Sequence, residues 1–346
     1  MEKVLTTKKQ NYDIFDLVKL ILSFMIVAIH TGLLPVILFP WLRLAVPMFF
    51  VISSYLFFKK VNGCKNAQEK GAVLKQFVLR NVILYAFWFI VLFPINVIAR
   101  GWFDYGIING IFTILVNLLL GSTFIASWFI SALVIGTVII FFASKKINNK
   151  VLLAISIVIY ILVTIHSSYL FIYKDITIMK KIIIFYETYF VSPYNSFPVG
   201  IFWILCGKLF ADGDFKYDLK SSSVNLGISL ALLFGEWFVV RSFTGSINKD
   251  CYLMLAPCII SIFTILLQIK PIEVKNPREM RKISVLIYVT HGAVLSIIQK
   301  LSQMILKTSL HSIILFVLTA LISLSIGLII LWLERYKPFK WLKYSH

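Results

Sequence analysis

The 346-residue chain is 60% hydrophobic and only 14% charged, whereas a soluble domain is about a quarter charged. Apolar windows of about 18 residues or more recur along its whole length, and each is long enough to cross a bilayer as a helix. This composition excludes a soluble globular protein and predicts an all-α, polytopic transmembrane helix bundle. The formal net charge of +19 lies mostly in short loops, which argues against nucleic acid as a partner and favours membrane lipids, in particular an anionic inner leaflet.

The apolar runs predict about ten spans in chain order. The ten spans are 14–34, 41–58, 78–99, 125–143, 151–168, 195–211, 222–241, 251–269, 283–299 and 310–333. Two further apolar stretches, 107–120 and 182–192, are expected to touch the membrane as interfacial or re-entrant segments. The polar N-terminus lacks a cleavage site after a short apolar core, so the first span is predicted to be a retained anchor.

The Lys and Arg residues fall mainly in every second loop. With the N-terminus inside, the inside segments hold 23 of the 34 Lys and Arg residues and the outside segments hold nine. The positive-inside rule therefore predicts that both termini are cytoplasmic. No loop is long enough to fold by itself, so 1–346 is expected to be a single integral-membrane domain without a fused soluble domain. The four cysteines form no CxxC and have no histidine at ligand spacing, so no metal site is expected.

The first span carries four polar side chains on one helical face. Asp16, Lys19, Ser23 and His30 stand at offsets of 0, 3, 7 and 14, which a 3.6-residue repeat keeps together. Lys19 and His30 lie about 16 Å apart along the axis. Two interpretations stay open: a structural one, in which Lys19 pairs with Asp16 and His30 is a buried hydrogen-bonding residue, and a functional one, in which the stripe is a polar track across the membrane.

Three further side chains lie near span ends or inside spans. Arg43 begins the second span from the outside, close to His30 if the two spans form a hairpin, and it could be an interfacial anchor or a cavity cation. Ser53 most simply hydrogen-bonds its own helix. Arg80 begins the third span from the inside, where the positive-inside rule explains it but where it would also suit a phosphate-bearing ligand.

Later spans add aromatic and imidazole groups. Trp128, in "ASWFISALVIG", stands at an outer span start, where aromatic belts are ordinary. In "KISVLIYVTHGAVL", Tyr288 and His291 share a helix face. Intramembrane ionisable groups usually face a bundle interior or a wet cavity, so both histidines are candidate functional residues.

Five stretches occur in order over about residues 11 to 335. They read "DLVKLILSFMIVAIH", "VPMFFVISSYLFFKK", "SWFISAL", "FPVGIFWILCGKLFA" and "ISVLIYVTH". Together they resemble the acyltransferase 3 family, bacterial multi-pass membrane proteins that O-acylate surface glycans. The resemblance implies a location in the bacterial plasma membrane.

The resemblance also implies roles for individual residues. His30 matches the first-span histidine, the family's leading catalytic candidate, and Trp128 matches a motif tryptophan. Ser284, Tyr288 and His291 match a late S…Y…H motif. The chain departs from the family pattern at three positions: Lys19 stands where Arg is usual, Ser54 replaces a glycine, and Ala126 replaces a histidine that many members carry.

The implied reaction moves an acetyl or short acyl group from a cytoplasmic acyl-CoA, such as acetyl-CoA, to a hydroxyl of a cell-surface or lipid-linked polysaccharide. His30 would act as a base or as a transient acyl carrier. The candidates for stabilising the oxyanion are Arg43, Tyr288, Trp128 and His291. The candidates for binding the donor are Lys19, Arg80, Ser53 and Trp128.

Other functions remain open at the level of sequence. A lipid-linked glycan flippase or small-molecule transporter would need a wide charged cavity and usually a repeat. A glycan polymerase is expected to present a large outer loop, whereas the longest outer loop here is about 168–194. The acceptor glycan, the acyl length and the oligomeric state, a homo-oligomer included, are not specified by the sequence.

Overall fold

The computed structural model describes residues 13–33, 36–173, 175–189, 191–215, 218–246, 249–269 and 274–346. Within these ranges the regular structure is helical and there is no strand. The polar N-terminus, including Lys3, Lys8 and Lys9, lies outside the described residues. The predicted orientation and the predicted retained anchor both used this segment.

Thirteen α-helices follow one another along the described chain. They are α1 (Asp13–Thr31), α2 (Phe39–Leu42), α3 (Ala45–Asn62), α4 (Ala67–Arg100), α5 (Ile107–Leu119), α6 (Trp128–Ala143), α7 (Asn149–Ser168), α8 (Thr177–Tyr189), α9 (Phe197–Asp212), α10 (Leu219–Thr244), α11 (Leu255–Gln268), α12 (Pro277–Leu306) and α13 (Ser312–Leu333). Short 3₁₀-helices cover Val36–Leu38, Leu170–Ile172 and Pro193–Asn195, and a longer one covers Lys337–Ser345.

Seven helical segments of the described chain are long and apolar enough to cross a membrane. They are Asp13–Thr31, Val36–Asn62, Ala67–Arg100, Asn149–Ser168, Leu219–Thr244, Pro277–Leu306 and Ser312–Leu333. The helices α5, α6 and α11 are apolar but shorter. The count of ten spans and the cytoplasmic termini stay predictions.

The centre of the bundle is formed by α3 and α9. Every residue of α9 from Val199 to Ala211 is buried, and most of α3 is buried as well, as expected for a helix that is apolar all round and enclosed by others. The two backbones approach closely at Gly207, where an added Cβ would lie 2.6 Å from the carbonyl oxygen of Val51. Glycine is required there because any side chain would force α3 and α9 apart. Around this pair, α6 and α7 pack on α9, and α1 packs on both α3 and α12.

The Lys337–Ser345 helix lies against α4 and α13. Its last residue is anchored, because the indole Nε1 of Trp88 donates to the carbonyl oxygen of Ser345 at 2.8 Å. In a 3₁₀-helix the side chains at i and i+3 eclipse, so this segment has three ridges. The exposed basic ridge is Lys337, Lys340 and Lys343, the exposed aromatic ridge includes Trp341 and Tyr344, and the third ridge buries Leu342 and Ser345.

Candidate functional site

A cavity of about 400 Å³ lies beside the end of α1. Four of the residues singled out from the sequence line it together: His30, Arg43, Trp128 and Tyr288. They come from four separate helical segments, since Arg43 follows α2, Trp128 begins α6 and Tyr288 belongs to α12. The fold therefore collects into one wall side chains that are far apart in sequence.

Two imidazole rings meet at this cavity. His30 is an exposed residue of the cavity wall, and the centroid of its ring is 5.1 Å from that of the fully buried His291. His291 Nδ1 lies 2.6 Å from the carbonyl oxygen of Tyr288. Because a carbonyl oxygen only accepts, Nδ1 carries a proton, and in the neutral ring Nε2 then carries a lone pair. Nε2 is buried and has no hydrogen-bond partner among the described residues.

The unpartnered Nε2 of His291 belongs to a ring adjacent to that of His30. A buried acceptor without a donor is costly, and the neutral imidazole of His30 carries one N–H donor. A bond between them would leave the second ring nitrogen of His30 as a free lone pair. The pair can thus present one basic nitrogen to the cavity.

Tyr288 also fixes the backbone on the other side of the cavity. Its hydroxyl donates to the carbonyl oxygen of Ala126, and its role in stabilising an oxyanion stays a prediction. Ala126 has φ +66°, a left-handed conformation that is unfavourable for a residue with a Cβ. The segment approaches α12 closely at Gly292, whose Cβ, if present, would overlap the side chain of Ile125. Contacts to α12 thus stabilise the strained backbone of Ala126. Ala126 lies in the wall of the cavity, and strained residues cluster at functional sites.

Arg43 is a cavity cation, which resolves the two interpretations of this residue. Its guanidinium is buried and forms an ion pair with Asp250 at 2.7 Å, and it lies over the ring of Phe39 at 5.4 Å. Asp250 lines the same cavity. Burial of the Arg43 guanidinium is tolerated because Asp250, whose side chain is 37% exposed, compensates its charge.

The segment that carries Asp250 is held by a carboxylate on α10. Glu236 accepts from the backbone N–H groups of Leu253 and Met254 at 2.6 and 2.8 Å, and from the hydroxyl of Tyr169 at 2.6 Å. These N–H groups precede α11, where the first turn of a helix lacks partners of its own. Glu236 thereby connects α10, α11 and the end of α7 behind the Arg43–Asp250 pair.

A second charged cluster lies at the opposite end of α1. The buried carboxylate of Asp16 accepts from Arg281 Nε at 2.9 Å and from Arg281 Nη2 at 2.8 Å. The expected alternative, in which Asp16 pairs with Lys19, is therefore wrong: Asp16 is engaged by the planar fork of an arginine from α12, which matches a carboxylate better than an ammonium does. Lys19 lies within electrostatic range of Asp16, Arg80 and Arg281. This end of the bundle thus combines the cations Lys19, Arg80 and Arg281 with the carboxylate of Asp16, and Asp13 also acts on Arg281.

The polar stripe of α1 is not an open track. Ser23 is fully buried and donates to the carbonyl oxygen of its own Leu20 at 2.7 Å. The walls of the cavity include Ile26, Ile29 and His30 but not Lys19 or Ser23. Along α1 the cavity therefore reaches the histidine end of the stripe only.

The four residues expected to bind the donor do not lie together. Lys19 and Arg80 belong to the cation cluster, whereas Trp128 lies in the cavity wall with His30. Ser53 is half-buried and does not line this cavity. It therefore joins neither group in the structure.

Sequence reasoning missed three charged residues that the structure brings to these places. Asp250 and Arg100 line the cavity, and Arg281 joins the cation cluster. Each lies in or next to a short loop, where the positive-inside rule and ordinary solvation already explain a charge. Asp250, the carboxylate between two apolar spans, was the available signal for an ion pair with Arg43.

Seven apolar helices, each long enough to cross a bilayer, indicate a multi-pass membrane protein. A model of the acyltransferase domain of the acyltransferase 3 family matches residues 12–332. The chain therefore belongs to this family, and the resemblance noted from its motifs is confirmed.

Curated relatives carry a different name. Two Enterococcus faecalis proteins, each named amino-acid racemase, are 26% identical to this chain. One alignment covers 94% of the chain and 47% of the relative, and the other covers 76% and 37%. The chain thus spans about half the length of these relatives or less. No solved structure matches it.

Proposed function

We propose that this chain is a membrane O-acyltransferase that moves an acetyl or other short acyl group from a cytoplasmic acyl-CoA to a hydroxyl of a cell-surface or lipid-linked polysaccharide. It would work in the plasma membrane of a bacterium, with both termini in the cytoplasm. Membership of the acyltransferase 3 family supports the class of reaction. The observation that carries the proposal is the exposed His30 in the cavity wall, beside the orphaned lone pair of His291.

In this proposal His30 is the general base. It takes the proton from the acceptor hydroxyl while the hydroxyl oxygen attacks the thioester carbonyl carbon. The tetrahedral intermediate then collapses with loss of the C–S bond, and the proton on His30 passes to the departing thiolate to give the free thiol of CoA. His291 is a positioning residue: by accepting from one nitrogen of His30, it would direct the other into the cavity. The same lone pair would serve if His30 instead carried the acyl group transiently.

The donor would enter from the opposite end of α1. A cluster of Lys19, Arg80 and Arg281 suits a phosphate-rich head group, because ammonium and guanidinium groups bind phosphate oxygens by charge-assisted hydrogen bonds. Lys19 and His30 are about 16 Å apart along α1, so the acyl arm has to bridge that distance. Since Ser23 is buried between them, entry of the arm requires the side chains around it to move.

The test is acylation of surface polysaccharide by variants of His30. We expect His30→Ala to lower the acylation rate by about 10²- to 10⁴-fold, the range for loss of a general base, with unchanged protein in the membrane. A matched control is His166→Ala, since His166 lies at the end of α7, contacts Tyr173 and Glu187, and does not line the cavity. Mass spectrometry of the polysaccharide gives the readout, and an immunoblot of membranes gives the abundance. Full acylation in His30→Ala would remove this residue from the mechanism.

Two other activities are distinguished by the purified protein. A transporter or flippase would move substrate across proteoliposomes without acyl-CoA, whereas the proposed enzyme requires the donor. The name of the two relatives suggests a second assay, in which amino acids are incubated with the purified protein and their chirality is measured. Racemisation or donor-independent transport without acylation would refute the proposal.

A further inference from the structure

Helix α4 carries two arginines, Arg80 and Arg100. Arg80 and Arg100 are twenty residues apart, or about 30 Å along a helix, which is the thickness of the hydrocarbon core. Arg80 interacts with the cation cluster around Arg281, and Arg100 lines the cavity that contains His30. Arg80 already has a place in the proposed donor site, whereas Arg100 has no assigned role.

The charges of the cavity wall do not cancel. Three charged side chains line it, Arg43, Asp250 and Arg100. Arg43 and Asp250 compensate each other at 2.7 Å. Arg100 forms no ion pair within the described part of the chain, and the titratable group that it interacts with is the phenol of Tyr85, not a carboxylate. Among the described lining residues, Arg100 is thus the charged side chain without an ion-pair partner, and it is exposed to solvent.

The exposed guanidinium of Arg100 hydrogen-bonds the backbone beside the cavity. Its Nη1 donates to the carbonyl oxygen of Ser122 at 2.7 Å, and the hydroxyl of Ser122 accepts from the backbone N–H of Trp128 at 3.1 Å. This bond to Ser122 uses one of the five N–H donors of the guanidinium. The remaining donors have the geometry that binds carboxylate or phosphate in a two-pronged manner.

We propose that Arg100 binds an anionic group, a carboxylate or a phosphate, on the acceptor whose hydroxyl is acylated at His30. The inference rests on the proposed acyl transfer and narrows its substrate to an acidic glycan or a phosphate-bearing one. Arg100 and His30 line one cavity, so the charge and the reacting hydroxyl belong to the same bound molecule. A neutral acceptor of the same size would leave the guanidinium without its partner.

The test compares two acceptors with the purified full chain and a short acyl-CoA. One acceptor is an oligosaccharide ending in a uronic acid, and the other is its neutral counterpart in which the carboxylate is reduced to an alcohol. We expect Arg100→Gln to raise KM for the acidic acceptor by about tenfold to a hundredfold, the value of a charge-assisted hydrogen bond, with little change in kcat. KM for the neutral acceptor should stay as in the wild type, and Arg100→Lys should restore part of the affinity.

Arg241→Gln is the matched control. Arg241 lies in the last turn of α10, is exposed over Trp237 and does not line the cavity, so its loss removes the same charge elsewhere. An equal effect of Arg100→Gln on both acceptors, or an equal effect of Arg241→Gln, would overturn the proposal. The proposal would also be overturned if Arg100→Gln raised KM in lipid nanodiscs but not in maltoside micelles. Maltoside micelles contain no phosphate, so Arg100 would then bind lipid headgroups instead of the acceptor.

Failure of the proposed reaction gives a different result. If the wild type acylates neither acceptor, acyl transfer to glycans is refuted, and calorimetric binding of the two oligosaccharides tests the anion site by itself. Tighter binding of the acidic one that is lost in Arg100→Gln supports the site, and equal binding refutes it.

Discussion

The pairing of Asp16 with Arg281 gives a sharp test of how α1 is held against α12. Asp16→Asn keeps the shape of the side chain but replaces one of two acceptor oxygens by an NH₂ group that faces an N–H of Arg281. Removing one member of a buried pair costs about 3–5 kcal/mol. Because the side chain of Arg281 is 54% exposed, solvent compensates part of the loss, and we expect the free energy of unfolding to fall by about 2 kcal/mol.

The assay is a double-mutant cycle on the free energy of unfolding in mixed micelles. Asp16→Asn, Arg281→Gln and their combination should give a coupling energy of about 1–2 kcal/mol, as for residues in direct contact. The matched cycle replaces Arg281→Gln by Lys19→Gln, and its coupling should be smaller, because Lys19 acts on Asp16 electrostatically but forms no ion pair with it in the structure. A coupling of Asp16 to Lys19 as large as that to Arg281 would refute the structure at this end of α1.

Two further substitutions test backbone conformation and close packing. Ala126→Gly should raise the free energy of unfolding by about 1 kcal/mol, because φ is +66° at this position. The control Ala132→Gly, inside α6, should lower the free energy of unfolding. A change of the same sign in both variants would contradict strain at Ala126. Gly207→Ala should lower the free energy of unfolding by about 1–3 kcal/mol, because its Cβ would lie 2.6 Å from the carbonyl oxygen of Val51. The control is Gly235→Ala, where a Cβ meets nothing within 4 Å; it should raise the free energy of unfolding by up to about 1 kcal/mol. A similar loss of stability in both variants would show that the contact of α3 with α9 is not tight.

The sequence predicts the class of fold and part of the site. Long apolar runs predict helices in a membrane, and the seven long helices agree with that prediction. The rarity of ionisable groups inside such runs draws attention to His30 and His291. Their pairing, in contrast, depends on the packing of α1 against α12, which no local periodicity contains.

Ion pairs between different helices were the main features that the sequence predicted wrongly. Helical spacing places Lys19 one turn from Asp16, so local reasoning favours that pair. The structure instead gives Asp16 to Arg281, because a two-pronged guanidinium from a neighbouring helix satisfies both carboxylate oxygens. Arg100 could not be singled out for a related reason: a lone charge at a span end has an ordinary explanation until the cavity behind it is known.

The count of spans differs from the count of long helices at three places. The helices α6, α9 and α11 have 16, 16 and 14 residues, which is about 21–24 Å of helix. The central α9 is enclosed by other helices and contacts protein rather than lipid, so it does not have to match the hydrocarbon thickness. Hydropathy alone cannot distinguish an enclosed short helix from a lipid-facing long one.

The anchored Lys337–Ser345 helix has a practical consequence for imaging. A bundle of membrane helices offers little ordered mass outside the micelle by which particles can be aligned in electron cryomicroscopy. Because Leu342 and Ser345 are buried and Trp88 holds the carbonyl oxygen of Ser345, a fiducial domain joined directly after His346 would start from a fixed point. A rigid helical fusion at that position should therefore align together with the bundle, whereas one joined through a flexible linker should not.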